Sequence, residues 1–188
     1  SALAVASLGV AVVATPAQAA YRYDEIPQSQ MKAVWTDSVE TSGEGANGPL
    51  AKVLDNDTST YWHTKWSGGA KDPLPHSFII KLGDQAKDNV GRVVLTPRQS
   101  SNGSGRVHNY EIGTSEDPNC GKDTEFTAQT TGEVPESDKL QDTTIDFGPV
   151  KAACIKVVYT SAWGGSPGST EEVASLAEFR AYTRSGEA

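Results

Sequence analysis

The sequence predicts an all-β fold, either an antiparallel sandwich or a jelly roll, and two observations support this prediction. Runs rich in β-branched and aromatic residues recur at roughly 10–20-residue spacing, with few helical periods between them. Among the 188 residues, 18 glycines and 10 prolines supply the turn signals that separate these runs. Short strands between frequent turns are typical of an all-β domain.

Six runs are predicted as strands, and turn residues mark the ends of several of them. Gly83-Asp84 follows the first run, Pro97 follows the second, and Gly148-Pro149 follows the fourth. Glycine and proline at these positions favour a change of chain direction. The predicted strands cover residues 78–82, 92–96, 107–112, 144–147, 154–159 and 176–182.

Two long glycine-rich loops, at residues 42–48 and 163–168, interrupt the strand pattern. On a β-sandwich such loops gather at the ends, where binding residues are commonly located. We see no internal repeat and no second domain. We assign residues 33–183 to one domain, residues 20–32 to a lead-in and residues 184–188 to a polar tail.

Residues 1–19 have the pattern of a secretory signal rather than of a domain. The apolar run from Ala2 to Val13 precedes Ala17-Gln18-Ala19, which predicts cleavage before Ala20. The run is too short to span a bilayer as a helix. We therefore expect a signal-peptide remnant on a secreted protein. A buried N-terminal strand or helix is the alternative.

Cys120 and Cys154 are the two cysteines of the sequence. An oxidising compartment favours a disulfide between them. Closing a loop of about 34 residues stabilises a fold by roughly 3–4 kcal/mol in the chain-entropy model. Two unpaired buried thiols are the alternative, and no Cys/His spacing indicates a zinc site.

The formal net charge of −8 limits the classes of partner. A nucleic-acid-binding domain needs a basic surface, and attraction to anionic lipid also needs positive charge. The sequence contains no second apolar run that could span a membrane. We therefore expect neither nucleic-acid binding nor membrane insertion.

The segment at residues 54–66 has the composition of a cation-binding loop. Asp55, Asp57 and Thr60 alternate with small or polar residues, so a tight turn directs carboxylates, a hydroxyl and main-chain carbonyls inward. Calcium takes six to eight such oxygens. The loop lacks the glycine and the terminal glutamate of an EF-hand, and an ordinary Asx-rich turn is the alternative. Trp62 lies inside a strand pattern, so we expect it to pack in the core.

Five motifs spread over about residues 31–182 occur in order along the chain. They are Val53-Leu54-Asp55-Asn56-Asp57-x-x-Thr60-x-Trp62-His63-Thr64-x-Trp66, Ile80-x-Leu82-Gly83, Thr96-Pro97-Arg98-Gln99, Gly105-Arg106-Val107-x-x-Tyr110-Glu111-Ile112-x-x-Ser115 and Ala174-Ser175-Leu176-Ala177-Glu178-Phe179. Together they resemble the discoidin (coagulation-factor C-type) modules, and they are most similar to the family 32 carbohydrate-binding modules. Five motifs in order are far more specific than any one of them.

The resemblance implies a jelly-roll sandwich of about eight antiparallel strands, with a structural calcium ion near its binding end. An ion held there joins the first and last parts of the chain and stabilises the fold by linkage. The implied ligands are the main-chain carbonyl of Lys52, Asp55, Asp57, Thr60, the main-chain carbonyl of Ala177, and Glu178.

The resemblance also implies a sugar site. Sugars present hydroxyls at their edges and apolar C–H patches on their faces, so a site needs polar side chains beside an aromatic ring. In galactose-binding members of the family, His, Trp, Arg and Glu residues hold the sugar and a late aromatic residue stacks on its face. The matching residues here are Glu44, His63, Trp66, Arg98 and, on the late loop, Trp163.

Ser104 departs from the family pattern. Members often carry an asparagine at this position, and that asparagine contacts the sugar. Asn102 lies two residues earlier and is the candidate to replace it. The identity of the sugar therefore follows less directly from the sequence than the fold does.

These observations predict a non-catalytic module that binds terminal galactose-type sugars, namely galactose, lactose and N-acetylgalactosamine. No Gly-x-Ser-x-Gly elbow is present, and His63 lies beside the predicted cation ligands, which argues against a serine nucleophile. The resemblance also leaves no spare pair of carboxylates for glycoside hydrolysis. The alternatives are a protein- or lipid-binding discoidin module, and an accessory domain covalently linked to the catalytic domain of a larger secreted glycan-active enzyme.

Overall fold

The computed structural model describes residues 20–186, and the predicted signal-peptide remnant at residues 1–19 lies outside the described residues. Three short 3-10 helices cover Gln28–Gln30, Leu50–Leu54 and Glu136–Asp138. In this part of the chain, no helix has the length and apolar character needed to cross a membrane. The strands are β1 (Arg22–Glu25), β2 (Lys32–Thr36), β3 (Trp62–His63), β4 (His76–Lys81), β5 (Lys87–Thr96), β6 (Arg106–Val107), β7 (Asn109–Ser115), β8 (Thr127–Glu133), β9 (Thr143–Ala152), β10 (Cys154–Tyr159), β11 (Ala162–Trp163), β12 (Thr170–Glu171), β13 (Ser175–Leu176) and β14 (Glu178–Ser185).

Two antiparallel sheets form the body of the fold. One has the strand order β1-β14-β5-β9 and the other has the order β2-β4-β10-β7-β8. Buried residues of both sheets belong to one hydrophobic core, including Leu95 and Phe179 from the first sheet and Phe78 and Ile112 from the second. The sheets therefore pack face to face, which confirms the predicted all-β jelly-roll sandwich.

The longer predicted strands all have counterparts in these sheets. The run at residues 154–159 coincides with β10, and the run at residues 144–147 lies inside β9. Five two-residue strands, β3, β6, β11, β12 and β13, build smaller pairings at one end of the sandwich. Two residues show no period, so the sequence pattern does not reveal such strands.

Two predicted boundaries need correction. The segment at residues 20–32 was expected to be a lead-in, yet its β1 strand pairs with the end of β14, where Arg22 lies opposite Ser185. The expected tail at residues 184–188 likewise begins inside β14. β1 is a short and largely polar edge strand that main-chain hydrogen bonds hold in place, so it carries little hydrophobic periodicity.

Trp62 lies at the centre of the core, as predicted, and its side chain is fully buried. Its ring packs edge to face with Phe78 at a centroid distance of 5.1 Å and with Tyr159 at 5.8 Å. Aromatic rings favour this arrangement, because the positive edge of one ring meets the negative face of another. The residue just before the candidate site is thus held firmly in position.

A disulfide joins Cys120 to Cys154, which confirms the predicted pairing. Cys154 is the first residue of β10, and Cys120 lies in the loop between β7 and β8. The bond therefore fixes this loop to the five-stranded sheet.

Candidate functional site

Strand β3 connects the core to the candidate site. Successive side chains of a strand point to opposite sides, so Trp62 enters the core while His63 faces away from it. Ser175 of β13 lies opposite His63 in the pairing. On the other side, the His63 amide donates to the Gly48 carbonyl at 3.2 Å, and the Glu40 amide donates to the His63 carbonyl at 2.8 Å. Main-chain hydrogen bonds thus hold His63 between two distant parts of the chain.

A concave site, which we call the His63 pocket, lies in front of this strand and has a cavity volume of about 170 Å³. It brings together five of the six residues that the sequence predicted to bind sugar; Trp163 is the exception. The lining residues come from four separate segments of the chain. They are Glu44, His63, Trp66, Lys71, Arg98, Asn102, Ser104, Glu171 and Val173.

Glu44 has the most polar contacts in the His63 pocket. Its Oε1 accepts a hydrogen bond from Trp66 Nε1 at 2.9 Å, and its Oε2 accepts one from the Tyr61 hydroxyl. Arg98 Nη2 lies 3.5 Å from the same Oε2 atom. The Glu44 carboxylate is therefore oriented by a tryptophan, a tyrosine and an arginine, and its charge is balanced by Arg98.

His63 is almost fully buried, and its tautomer follows from its contacts. Nδ1 lies 2.6 Å from the carbonyl oxygen of Thr64. A carbonyl only accepts hydrogen bonds, so Nδ1 carries a proton and donates it. Burial is the main cause that lowers the pKa of His63. The ring is therefore neutral near pH 7, and its Nε2 is a free acceptor 3.7 Å from Glu44 Oε1.

Trp66 supplies the exposed aromatic surface of the His63 pocket. It is 39% exposed, in contrast to Trp62, which is fully buried. A Cβ atom at Gly43 would lie only 2.5 Å from Trp66 Cζ2, so the main chain at Gly43 lies directly against the indole. One side of the ring is therefore covered by protein, while enough remains exposed to contact a ligand.

Arg98 is held rigidly although it lies in a loop. Its guanidinium carbon lies 4.2 Å from the centroid of the Tyr61 ring, and its Nε donates to Ser100 Oγ at 2.5 Å. Its carbonyl oxygen accepts a hydrogen bond from Arg106 Nε at 2.8 Å. The remaining guanidinium N–H groups are directed by these contacts toward the pocket.

Ser104, the residue that departs from the family pattern, also lies in the His63 pocket. Both Ser104 and Asn102 line it. A Cβ atom at Gly165 would lie 3.0 Å from Asn102 Oδ1 and 3.4 Å from Ser104 Oγ, so the two polar side chains meet the late glycine-rich loop. The loop geometry therefore brings Asn102 to the pocket despite the offset in sequence.

The candidate cation loop is assembled from both ends of the chain. Thr60 Oγ1 donates to Asp55 Oδ2 at 2.6 Å and also lies 3.0 Å from the main-chain carbonyl of Asp57. The Asp57 amide donates to Glu178 Oε1 at 3.0 Å. Lys52 lies in the adjoining 3-10 helix, and Ala177 directly precedes Glu178. The six residues of the predicted ligand set are therefore neighbours in space or in sequence.

The side chain of Asp57 differs from the expectation that its carboxylate points inward. Its Oδ1 instead accepts hydrogen bonds from the Ser59 amide at 2.9 Å and the Ser59 hydroxyl at 2.6 Å. These contacts lower the pKa of Asp57. This is a local Asx turn, so the main-chain carbonyl is the Asp57 oxygen that faces Thr60. Across residues 20–186, no group of three or more His, Cys, Asp or Glu side chains is arranged as a metal site.

Glu178 is a fully buried carboxylate beside a second carboxylate. Its pKa is raised to about 7, mainly by burial and in smaller part by the neighbouring carboxylate of Asp55. Gln28 Nε2 donates to Glu178 Oε2 at 2.6 Å and offsets part of this effect. The protein groups around Glu178 thus leave its negative charge incompletely compensated.

Comparison with known proteins identifies the family. The family model of the F5/8 type C domain matches residues 34–174, which is most of the chain. This chain belongs to the F5/8 type C domain family. The matched range includes the whole His63 pocket.

This F5/8 type C domain is similar to segments of longer proteins. It is 32% identical over 164 residues to the A type blood N-acetyl-alpha-D-galactosamine deacetylase of Flavonifractor plautii, and the match covers 84% of this chain and 18% of that protein. It is 34% identical over 90 residues to the sialidase of Micromonospora viridifaciens, with 48% of this chain and 13% of that protein covered. The chain thus spans less than a fifth of the length of either relative.

Solved structures show the same fold in modules of similar size. The family 32 carbohydrate-binding module of Clostridium perfringens NanJ, in complex with galactose, is 30% identical with a TM-score of 0.65, and the match covers 86% of this chain and 99% of that one. A second family 32 module from Clostridium perfringens, in complex with GalNAc-beta-1,3-galactose, is 27% identical with a TM-score of 0.67, covering 84% and 99%. In each case the solved module matches along almost its full length.

In this F5/8 type C domain, Trp163 does not occupy the position that the sequence suggested. Its ring stacks on His108 at a centroid distance of 3.9 Å, and its Nε1 donates to the Val134 carbonyl at 2.9 Å. Trp163 pairs with Arg106 in the small sheet, which fixes the direction of its side chain. The neighbouring glycines suggested an exposed ring, but these tertiary contacts hold the ring outside the His63 pocket.

Several residues in or near the His63 pocket were missed by sequence reasoning. Lys71 and Glu171 line it and form an ion pair with an Nζ to Oε2 distance of 2.9 Å. They are 100 residues apart, so nothing in the local sequence relates them. Tyr61, whose hydroxyl donates a hydrogen bond to Glu44, lies in the segment at residues 54–66. A buried tyrosine beside a strand has no distinct sequence pattern, so its role was not predicted.

Proposed function

We propose that this chain is a non-catalytic carbohydrate-binding module that recognises terminal galactose-type sugars. One observation carries the proposal: the exposed ring of Trp66 lies in the same small pocket as Glu44, His63 and Arg98. An aromatic face beside a few oriented polar groups matches the two kinds of surface that a sugar presents.

The polar groups of the His63 pocket are complementary to sugar hydroxyls. The Nε2 atom of neutral His63 and the Glu44 carboxylate accept hydrogen bonds, whereas the Arg98 guanidinium only donates them. A hydroxyl both donates and accepts, so one hydroxyl can contact an acceptor and a donor together. The charges of Glu44 and Arg98 compensate each other, and so do those of Lys71 and Glu171, which favours an uncharged ligand.

The size of the pocket supports one terminal sugar unit as the ligand. Its volume of about 170 Å³ is smaller than the roughly 300–1,000 Å³ of pockets that hold drug-sized molecules. A monosaccharide has about twelve heavy atoms, and roughly 0.3–0.5 kcal/mol per atom gives a dissociation constant from about millimolar to tens of micromolar. Clustered glycans would raise this affinity by avidity.

The similar solved modules support the galactose-type preference. The NanJ module is in complex with galactose, and the second Clostridium perfringens module is in complex with GalNAc-beta-1,3-galactose. Both are family 32 modules that align over almost their whole length. We extend this preference to the present chain because the His63 pocket offers a suitable set of groups.

We also propose that Asp55, Thr60 and Glu178 bind a structural calcium ion together with main-chain carbonyls of Lys52, Asp57 and Ala177. The donor set consists entirely of oxygen, which suits a hard cation. A buried Glu178 beside Asp55 leaves excess negative charge that such a cation would neutralise. The bound ion would contribute stability rather than chemistry, since these residues lie outside the lining of the His63 pocket.

The matches to segments of much longer glycan-active proteins support a role as an accessory domain. We propose that the chain acts within, or beside, a larger secreted enzyme and holds it near galactose-bearing glycans. A weak single site is sufficient for this purpose, because tethering raises the effective concentration of the enzyme at its substrate.

Titration of galactose into the wild type and into Trp66→Ala, followed by calorimetry and tryptophan fluorescence, tests the sugar function. We expect saturable binding by the wild type and a loss of at least tenfold in affinity for Trp66→Ala. Trp163→Ala is the matched control and should retain binding. If galactose, lactose and N-acetylgalactosamine all fail to bind while the protein binds liposomes, the sugar function is wrong.

A further inference from the structure

Glu40 is outside the lining of the His63 pocket, yet it contacts two of the loops that form it. The residue is 1% exposed. A buried carboxylate is unfavourable unless donors satisfy its oxygens. Nothing in the sequence distinguishes Glu40 from the other acidic residues, since it is one of 24.

The two carboxylate oxygens of Glu40 accept hydrogen bonds from two separate segments. Oε1 accepts from the amides of Ser42 and Gly43, each at 3.0 Å. Oε2 accepts from the amides of Trp66 and Ser67, each at 2.8 Å. The Ser67 hydroxyl also donates to Oε1 at 2.6 Å. One side chain thus joins the loop before Glu44 to the loop that carries Trp66.

These contacts determine where two pocket side chains lie. Glu44 directly follows Gly43, and its Oε1 accepts the Trp66 Nε1 hydrogen bond at 2.9 Å. The main chain at Gly43 lies against the Trp66 indole, since a Cβ there would be 2.5 Å from Cζ2. A shift of either segment would therefore separate the aromatic ring from the Glu44 carboxylate.

We propose that Glu40 is the positioning residue of the His63 pocket, holding the Trp66 ring and the Glu44 carboxylate in the arrangement that a sugar requires. The inference rests on the proposed sugar-binding function. A carboxylate is needed, because an amide would place an NH₂ donor opposite main-chain N–H donors. Only an acceptor at both oxygen positions can satisfy both segments.

The charge state of Glu40 agrees with this role. Burial acts to raise its pKa, but hydrogen bonds from Ser67, Trp66 and Gly43 outweigh burial and hold the pKa far below its usual value. The carboxylate is therefore ionised throughout the pH range of binding experiments. Its contacts are charge-assisted, and such hydrogen bonds are stronger than neutral ones.

Glu40→Gln tests the proposal, with Glu136→Gln as the matched control. Glu136 also accepts a main-chain hydrogen bond, from Gly168, but it lies outside the His63 pocket. Each variant is titrated with galactose, and circular dichroism confirms that it is folded at the measuring temperature. Acrylamide quenching, compared with and without Trp66→Phe, isolates the exposure of Trp66. We expect Glu40→Gln to lose at least tenfold in affinity and to change Trp66 quenching, while Glu136→Gln stays within twofold.

The outcomes separate a positioning role from a purely structural one. A folded Glu40→Gln that binds galactose within twofold of the wild type, with unchanged Trp66 quenching, overturns the proposal. If Glu40→Gln does not fold, Glu40→Asp keeps the charge but shortens its reach, and it should show the same two changes. If the wild type itself does not bind galactose, the proposed function fails, while Trp66 quenching still tests whether Glu40 positions the ring.

Discussion

The main-chain amide of Asp57 donates a hydrogen bond of 3.0 Å to the carboxylate of Glu178, across 121 positions of sequence. This contact joins the candidate cation loop to the first residue of β14. Gln28 donates to the other Glu178 oxygen, so three distant segments converge on one buried carboxylate. A cation that neutralises the charge of Glu178 should therefore stabilise the whole sandwich and not just one loop.

Chelation of calcium is expected to lower the melting temperature of the wild type. A ligand at about 100 times its dissociation constant contributes about 2.7 kcal/mol, which for a domain of this size corresponds to roughly 5–10 °C. Asp55→Ala should melt at a lower temperature and respond little to EDTA. Differential scanning calorimetry with and without calcium measures both effects.

Asp84→Ala is the control for the calcium experiment, because Asp84 is exposed and lies elsewhere in the sequence. It should keep the full response to EDTA. Equal melting temperatures of the wild type with calcium and with EDTA would contradict the proposed site.

Stability should depend on pH through His76, which is fully buried. Its Nδ1 lies 2.8 Å from Asp37 Oδ2 and its Nε2 lies 2.7 Å from the Glu172 carbonyl. Both partners accept hydrogen bonds, so the ring bonds to both only when doubly protonated. Burial acts to lower the pKa of His76, but the hydrogen bond and charge of Asp37, with the Glu172 carbonyl, raise it above its usual value.

A raised pKa in the folded state determines the sign of the His76 effect. The protonated ring contributes its full stability below the unfolded pKa of about 6.5, and this contribution is lost as pH rises through the folded pKa. In urea unfolding, the advantage of the wild type over His76→Gln should therefore shrink from pH 6 to pH 9. An advantage that grows over this range would show the ring to be neutral in the fold.

Galactose affinity is expected to fall under acid conditions because of His63. Burial keeps this ring neutral near pH 7, and in the proposed complex the neutral Nε2 would accept a hydrogen bond from the sugar. Protonation removes that acceptor as pH drops through the lowered pKa. Calorimetric titrations from pH 7 downward measure the decline, and His63→Ala should bind at least tenfold more weakly at pH 7. A constant affinity down to the pH at which the protein unfolds would rule out this role for Nε2.

The disulfide is expected to stabilise the sandwich without contributing to the sugar site. Replacing Cys120 and Cys154 together by serine should lower the free energy of unfolding by about 3–4 kcal/mol in the chain-entropy model. Galactose affinity of the folded variant should stay within twofold, because neither cysteine lines the His63 pocket. Urea unfolding of the wild type with and without reductant gives an independent measure. Equal unfolding curves would contradict the stabilising role.

Residues whose roles follow from local periodicity were predicted well. The β-branched run at residues 154–159 is β10, and the alternation of Trp62 and His63 separates core from pocket. These features follow from side-chain direction along one strand. The resemblance to known modules then related Glu44 and Arg98 to His63, which periodicity alone does not do.

Residues whose roles depend on tertiary contacts were not predicted well. Trp163 follows a glycine-rich pattern that favours exposure, yet it stacks on His108. Glu40 and the Lys71–Glu171 ion pair act between loops that are far apart in sequence. No local pattern encodes which loop a buried carboxylate will reach, so such positions become visible only when the main-chain donors around them are known.

Strand β3 consists of two residues, and its shortness has an evolutionary consequence. Because its side chains alternate, a single inserted or deleted codon upstream of Trp62 that shifts the pairing by one residue would direct the indole outward and the imidazole into the core. The shift would remove the indole from the hydrophobic core and the imidazole acceptor from the His63 pocket at the same time. Length variation among relatives should therefore be concentrated in the loops on either side of this pair. Changes in those loops can alter which glycans are bound while the pairing register of Trp62 and His63 stays constant.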